Sequence, residues 1–194
     1  ELIITPEKDL AGLPEGVKEA AAHAAKQSGE DGWMFTLAFP SYGPFMKYAD
    51  NRELREKLSK AYGKRGFQDN GFNNENNVLE IAKLRYERAN LLGYKTHADF
   101  VLEERMAMTP EKVTDFLDEM LVKARPVAEK QFNQLADFAK ELDGILNLNK
   151  WDSAYYAEKL KKKLFNLDDE KLKPYFKLEN VIEGAFTVAN KLFG

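Results

Sequence analysis

Apolar residues recur three or four positions apart along most of the chain, a spacing that gives a helix one apolar face. This pattern predicts helices over residues 14–27, 50–65, 75–92, 110–142 and 180–193. Few Gly or Pro residues interrupt these segments, and the sequence contains neither an internal repeat nor a low-complexity linker. The chain is therefore predicted to be mainly α, a compact multi-helix unit with at most one short strand or hairpin.

One segment departs from the helical period. Residues 33–39 alternate large apolar side chains with Met, Thr and Ala, a period of two that is typical of a β-strand, and Pro40 is predicted to end it. Because one strand cannot form a sheet alone, either residues 2–4 pair with it or its neighbours lie outside this chain. Residues 1–194 are otherwise predicted to form a single helical region.

Several residues predict where helices begin, end or bend. Asp50, three residues before a glutamate, resembles the start of a capping box. Thr109 followed by Pro110 suits the start of the longest helix. Gly93 is placed to end the helix that precedes it. Pro126 lies inside the longest predicted helix, where its ring predicts a kink.

Two helices near the end of the sequence carry further predictions. Asp152 is placed to cap a helix, so that Trp151 and Tyr156 occupy the positions that pack together as a hydrophobic staple. The helix over residues 180–193 has a wide apolar arc, which predicts burial on more than one side. Where neighbouring segments do not cover such a face, we expect the chain to self-associate through it.

Composition excludes several classes of protein. With 29 basic and 32 acidic residues the net charge is −3, which disfavours a protein that binds nucleic acid by neutralising phosphates. The basic run at residues 159–163 is interpreted as a solvated helix face. The chain has no cysteine, which excludes disulfides and thiolate metal sites and is consistent with a reducing compartment. No apolar run is long enough to span a bilayer, and the start at Glu1, without a leader, is interpreted as excision from a longer cytoplasmic protein.

Short catalytic motifs are absent from the sequence. The only histidines, His23 and His97, are far apart and cannot share a turn of helix, as a His-Glu-x-x-His zinc motif requires. There is no Gly-x-Ser-x-Gly turn, phosphate-binding loop or dinucleotide fingerprint. We therefore expect no metal site and no catalytic residue within this chain.

Three side chains are candidates for more than packing. Arg85 lies at the centre of one predicted apolar arc and Arg65 lies on another, and a charge placed there must be paired or must reach water. The favoured interpretation is a structural ion pair that ties helices together. The alternative is an arginine that grips a peptide carboxylate. Tyr155 could face a substrate channel, although aromatic pairs on helices more often belong to the core.

Two stretches carry the most recognisable motifs. Residues 84–107 contain Leu-Arg-Tyr-Glu at 84–87, Ala-Asn-Leu-Leu-Gly-Tyr at 89–94 and Arg-Met-Ala at 105–107, and residues 151–156 read Trp-Asp-Ser-Ala-Tyr-Tyr. These motifs closely resemble the zinc-dependent oligopeptidases of the thimet oligopeptidase and peptidyl-dipeptidase family. The resemblance is collinear through Gly-Leu-Pro at 12–14, Gly-Trp at 32–33, Pro-Ser-Tyr at 40–42, Asn-Arg-Glu-Leu-Arg-Glu at 51–56, Thr-Pro at 109–110 and Leu-Phe-Gly at 192–194.

The resemblance implies part of a larger, two-domain helical zinc peptidase whose deep channel admits short peptides. In that family the His-Glu-x-x-His helix holds zinc, and it lies downstream of this segment. The resemblance therefore implies a scaffold and channel-wall role here, with zinc in the parent enzyme only and an inactive segment. Peptidyl-dipeptidase and oligopeptidase activity remain alternatives. A rival hypothesis is a stand-alone, non-catalytic helical module that binds peptides or a partner protein.

Overall fold

The protein is described by a computed structural model that covers all 194 residues. It is mainly α, with a single pair of short strands, as the sequence predicts. The strands are β1 (Leu2–Ile4) and β2 (Trp33–Phe35). The helices are α1 (Glu15–Gln27), α2 (Phe39–Tyr48), α3 (Arg52–Gly63), α4 (Glu75–Leu91), α5 (His97–Leu102), α6 (Pro110–Asp143), α7 (Ser153–Phe165), α8 (Asp169–Leu172) and α9 (Leu178–Phe193). Short 3-10 helices occupy Glu7–Leu10 and Lys173–Tyr175.

The helices and strands group into two compact units. Unit 1 comprises residues 1–55 and 149–194, and unit 2 comprises residues 56–148. Unit 1 is therefore discontinuous in sequence, because the chain leaves it at Arg55 and re-enters it at Asn149. The prediction of a single helical region over residues 1–194 stays a prediction.

The two strands form an antiparallel pair in which Leu2 lies opposite Phe35 and Ile4 lies opposite Trp33. This arrangement confirms the alternative in which residues 2–4 pair with the alternating segment. Gly32 permits the approach, since its φ is +97° and a Cβ there would lie 2.3 Å from the carbonyl oxygen of Ile4. Only glycine adopts this conformation without strain.

The strand is shorter than the predicted residues 33–39, because β2 ends at Phe35 and α2 begins at Phe39. The backbone N–H of Thr36 donates to Ser41 Oγ at 3.0 Å, which turns the chain directly after Phe35. Pro40 then lies in the first turn of α2, where a missing N–H costs little, rather than ending an element. Pro44 also lies within α2. Helix α2 is therefore not predicted by the sequence pattern, in which Pro40 marks the end of a strand.

The core of unit 1 lies where α1 and α2 meet the strands and where α7 packs on α2. Phe35 and Phe45 are buried with ring centroids 4.6 Å apart. Ala21 and Ala25 bury the small-residue face of α1, and Tyr156 is buried on α7. Tight aromatic and alanine packing of this kind gives unit 1 a continuous apolar interior.

Helix α3 begins one residue later than predicted. The backbone N–H of Leu54 donates to Asn51 Oδ1 at 3.2 Å, so Asn51 makes the capping bond assigned to Asp50. Asp50 instead turns its carboxylate toward α7, as described below. Of the predicted apolar face, Leu58 is fully buried, whereas Leu54 and Tyr62 are half-buried.

Unit 2 contains α4, α5 and α6. The predicted bounds of α4 and α6 are confirmed, with Gly93 in a left-handed conformation after α4 and Thr109 accepting a hydrogen bond from the backbone N–H of Lys112. Helix α5 was not predicted, although Thr96 and Asp99 form a full capping box at its start. The apolar faces of α4 and α6 are largely exposed.

Helix α9 presents its wide apolar arc to solvent. Phe186 and Phe193 are 72% and 87% exposed, and no residue of α9 is buried. The prediction that α9 is buried on more than one side is therefore wrong within this chain. No helix is both long and apolar enough to cross a membrane.

Candidate functional site: a buried arginine–aspartate cluster

The most densely bonded group of charged side chains lies in unit 1. It joins the first turn of α3 to the first turn of α7, and we call Arg52, Arg55 and Asp152 the clasp. Its members belong to the motifs Asn-Arg-Glu-Leu-Arg-Glu at 51–56 and Trp-Asp-Ser-Ala-Tyr-Tyr at 151–156. Two motifs that are widely separated in sequence therefore meet in one cluster.

Asp152 is fully buried, with a relative exposure of 0%. Its carboxylate accepts hydrogen bonds from Arg52 Nε at 2.9 Å and Arg52 Nη2 at 2.8 Å, a forked geometry that suits arginine and carboxylate. It also accepts from Arg55 Nη2 at 3.3 Å and from the backbone N–H of Asn149 at 3.0 Å. Each oxygen of the carboxylate thereby accepts two hydrogen bonds from within the protein.

Asp152 occupies the predicted N-cap position of α7, but its side chain caps no backbone N–H of that helix. The carboxylate bonds to the arginines instead, so its predicted capping role is wrong. The predicted staple between Trp151 and Tyr156 stays a prediction.

Arg55 is buried as completely as its partner, at 1% exposure. Its Nε donates to the carbonyl oxygen of Trp151 at 3.1 Å, and its Nη1 donates to the carbonyl oxygens of Ala49 at 2.7 Å and Asp50 at 3.1 Å. With the bond to Asp152, four of the five guanidinium donors have acceptors. A buried charge that is paired and hydrogen-bonded in this way avoids most of the cost of desolvation.

Tyr155 extends the cluster. Its hydroxyl donates to Asp50 Oδ1 at 2.7 Å, and the Arg55 guanidinium lies 3.9 Å from the centre of its ring, within the range of a cation–π contact. Lys159 Nζ lies 3.5 Å from the same Asp50 oxygen. Tyr155 is buried and makes an edge-on contact with Tyr156. The structure thus places Tyr155 in the core of unit 1.

The environment of Asp152 favours its ionised form. Burial alone would raise the pKa of this carboxyl group, but hydrogen bonds from Arg52, from the Asn149 N–H and from Arg55 outweigh it. The net effect holds the pKa of Asp152 below its ordinary value. A buried, fully bonded carboxylate that stays ionised suits a structural role better than proton transfer.

Arg85, the favoured structural arginine, is exposed on α4 and has no ion pair or hydrogen bond to a side chain of this chain. No buried partner for Arg85 lies within this chain, and the prediction that it is a paired structural charge in the complete enzyme stays a prediction. Arg65 is also exposed, and it donates to the carbonyl oxygen of Tyr62 while lying over the Tyr62 ring. Arg85 belongs to unit 2 and Tyr155 to unit 1.

The buried arginine of this chain is Arg55, which was not among the predicted candidates. A signal for it was present, since Arg55 lies three residues after Arg52 and three before Leu58, on the side of α3 that faces the core. Its carboxylate partner lies 97 residues further on, beyond the reach of any local pattern.

The basic run on α7 is paired rather than simply solvated. Lys161 Nζ lies 2.8 Å from both Glu158 and Asp169, and Lys162 Nζ lies 2.8 Å from Asp168. The bonds to Asp169 and Glu158 raise the pKa of Lys161. These pairs are exposed enough that each contributes little to stability.

No metal centre forms in this chain. No three His, Asp or Glu side chains converge closely enough to hold a metal ion. His23 is exposed, and His97 is half-buried at the first turn of α5. The zinc that the family resemblance implies therefore has no set of ligands among these residues, and no catalytic step can be derived through it here.

Comparison with known proteins identifies the wider context of this chain. The sequence profile of peptidase family M3 matches residues 45–194. Oligopeptidase A of Salmonella typhimurium is 41% identical over 197 residues, a match that covers 99% of this chain. Oligopeptidase A of Escherichia coli is likewise 41% identical over 197 residues, covering 99% of the chain. The dipeptidyl carboxypeptidase of Escherichia coli is 32% identical over 195 residues and 100% of the chain.

The matches extend over only part of each relative. The chain spans 29% of the length of both oligopeptidases A and 29% of the dipeptidyl carboxypeptidase. Both motifs that form the clasp lie within the residues that the family profile matches.

Proposed function

Because this chain belongs to peptidase family M3, we propose that it is the scaffold portion of an enzyme that hydrolyses short peptides with the aid of zinc. One observation carries this proposal. The chain aligns with oligopeptidase A along 99% of its own length at 41% identity. The similarity is therefore not confined to one motif but extends through both units.

The proposed contribution of this chain is structural. The sequence contains no His-Glu-x-x-His motif, and its most densely bonded polar cluster is buried and internally satisfied. We therefore place the zinc ligands and the catalytic glutamate in a further part of the polypeptide. The exposed apolar faces of α4, α6 and α9 are suited to packing against that further part or to lining a channel.

The identities favour an oligopeptidase over a dipeptidyl carboxypeptidase. The chain is 41% identical to oligopeptidase A and 32% identical to dipeptidyl carboxypeptidase, both from Escherichia coli. We propose cleavage within short peptides. Peptides whose C-terminal carboxylate is amidated should then be hydrolysed nearly as fast as free ones, whereas an enzyme that removes C-terminal dipeptides would discriminate strongly against them.

Of the two candidate substrate contacts, Arg85 is the accessible one. It is exposed and without a charged partner, whereas Tyr155 is buried in unit 1. We retain Arg85 as a proposed contact for a peptide carboxylate, because an unpaired guanidinium on an exposed face can form a forked bond. In the complete enzyme, Arg85→Ala should then lower kcat/KM for peptides with Asp or Glu side chains more than for the matching peptides with Asn or Gln.

The proposed setting is the cytoplasm, with short peptides as partners and neither nucleic acid nor membrane involved. The net charge of −3, the absence of cysteine and the absence of a spanning helix support this proposal. One further relative, from Arabidopsis thaliana, is named a probable cytosolic oligopeptidase A.

The proposal is tested with the longest natural polypeptide that contains this segment. We expect it to hydrolyse short peptides, to lose this activity with a chelator and to regain it with zinc, while folded proteins are not cut. A polypeptide that ends at Gly194, binds short peptides and cleaves none would favour the stand-alone binding module instead.

A further inference from the structure

The clasp lies at the two points where the chain passes between the units. Unit 1 ends at Arg55 and resumes at Asn149, and both residues take part in the bonds around Asp152. The bonds that connect the two parts of unit 1 at the clasp all join residues 50–55 to residues 151–159. The sequence separations of the hydrogen bonds range from 96 to 105 residues.

The two units differ in how well they are packed. Thirteen of the seventeen buried apolar residues lie in unit 1, and both members of the fully buried ion pair lie there as well. Unit 2 contributes four, namely Leu58, Ala89, Phe138 and Ala139, and its long helices expose most of their apolar faces. Regions with few buried apolar contacts open at lower free energy than well-packed ones.

We infer that the clasp closes unit 1 into a cooperative folding unit of its own, into which residues 56–148 are inserted as a less stable unit. The two parts of unit 1 are joined covalently only through that long insertion, so noncovalent contacts such as the clasp must hold them together. Holding the ends of a long loop together costs conformational entropy, although this cost grows slowly with length. Buried, forked charge pairs supply directional bonds that offset it.

A second feature supports the same division. Inside unit 1, α2 and α7 carry a further link, since Lys47 Nζ lies 3.6 Å from Glu158. Tyr48 on α2 is half-buried, and its burial together with the nearby carboxylates, Glu158 on α7 foremost, raises the pKa of Tyr48 to about 12. The C-terminal segment is thus held to α3 at the start of α7 and to α2 at the middle of α7.

Native-state hydrogen exchange of the intact chain in increasing urea tests this inference, with α2 and α7 reporting on unit 1 and α4 and α6 on unit 2. We expect α4 and α6 to become exchangeable in one step at lower urea than α2 and α7. Asp152→Ala should accelerate exchange in α2 and α7 by about a hundredfold to several thousandfold, and it should leave α4 and α6 within about threefold of the wild type. The control Glu119→Ala, which removes an exposed pair with Lys123 on α6, should change neither group.

If Asp152→Ala does not fold, Arg52→Ala provides the milder variant. Arg52 is partly exposed, and the Arg55–Asp152 pair remains in its absence, so a smaller acceleration confined to unit 1 is expected. Exchange of all four helices in one step would overturn the inference and favour a single helical region over residues 1–194. Equal acceleration of both units by either variant would overturn it as well.

Discussion

At the scale of single residues, burial decides what an arginine does. Arg85 lies among apolar residues on α4 and is exposed, whereas Arg55, beside Arg52 and Leu58 on α3, is buried. Periodicity identifies a helix face but not whether another segment covers it. Arg55 is covered because residues 151–155 return to α3, and no local pattern encodes that return. The choice between the two arginines therefore could not be made from sequence.

Removing the carboxylate of Asp152 should destabilise the protein strongly. Asp152→Ala leaves Arg55 buried without its charged partner, a change that costs on the order of 3 to 5 kcal/mol of unfolding free energy. Urea unfolding at neutral pH measures this loss. Glu119→Ala on the exposed face of α6 is the matched control, expected within about 0.5 kcal/mol of the wild type. A loss for Asp152→Ala as small as the control's would show that the clasp is not structural.

Acid should remove the contribution of the same carboxylate. Because the pKa of Asp152 is lower in the folded protein than in the unfolded chain, its contribution is present above an unfolded pKa of about 3.9 and is lost as pH falls through the folded pKa. The difference in unfolding free energy between the wild type and Asp152→Ala should therefore shrink from pH 5 downward. A difference that stays constant to about pH 2 would mean that the carboxylate does not titrate as assigned.

At the scale of elements, the sequence predicts the long amphipathic helices well, and it predicts poorly the short helix α2 with its two prolines. Helices α4 and α6 begin within a residue of their predicted starts because capping residues and period agree. Helix α2 was missed because Pro40 was treated as a terminator, although proline is tolerated in the first turn. The alternating residues before α2 do form a strand, but it ends after three residues, where the backbone N–H of Thr36 donates to Ser41 Oγ.

Two glycines with positive φ, Gly29 and Gly32, allow the packing of β1 against Gly32 to be tested. A Cβ at Gly32 would meet the carbonyl oxygen of Ile4, whereas a Cβ at Gly29 would have no heavy atom within 4 Å. Gly29→Ala should therefore cost only the conformational strain, about 1 to 2 kcal/mol. Gly32→Ala should cost at least about 2 kcal/mol more, since β1 must also shift. Thermal unfolding of both variants measures the difference, and equal losses would show that β1 is not held against Gly32.

At the scale of the whole molecule, the exposed apolar faces dominate the expected behaviour in solution. The amphipathic character of α9 could be predicted from sequence, but the absence of a covering segment could not, since coverage depends on residues distant in the chain. The face formed by Ile182, Phe186 and Phe193 remains open to solvent. Faces of this kind are normally buried by association or by further protein.

The isolated chain should self-associate through this face. Phe186→Glu places a charge at its centre and should shift the chain toward monomer at tens of micromolar, as measured by light scattering after size exclusion. Thr187→Glu adds the same charge on the polar side of α9 and should leave the assembly unchanged. A wild-type chain that is already monomeric, or equal effects of the two substitutions, would contradict this assignment.

The central claim is that this chain is the non-catalytic scaffold of a family M3 peptidase, and zinc binding coupled to peptide hydrolysis tests it most directly. The purified 194-residue chain and the longest natural polypeptide that contains it would be compared by zinc calorimetry and by cleavage of short fluorogenic peptides, with and without a chelator. We predict stoichiometric zinc and chelator-sensitive cleavage for the longer polypeptide, and neither property for the 194-residue chain. One-to-one zinc binding together with chelator-sensitive cleavage by the 194-residue chain itself would contradict the account.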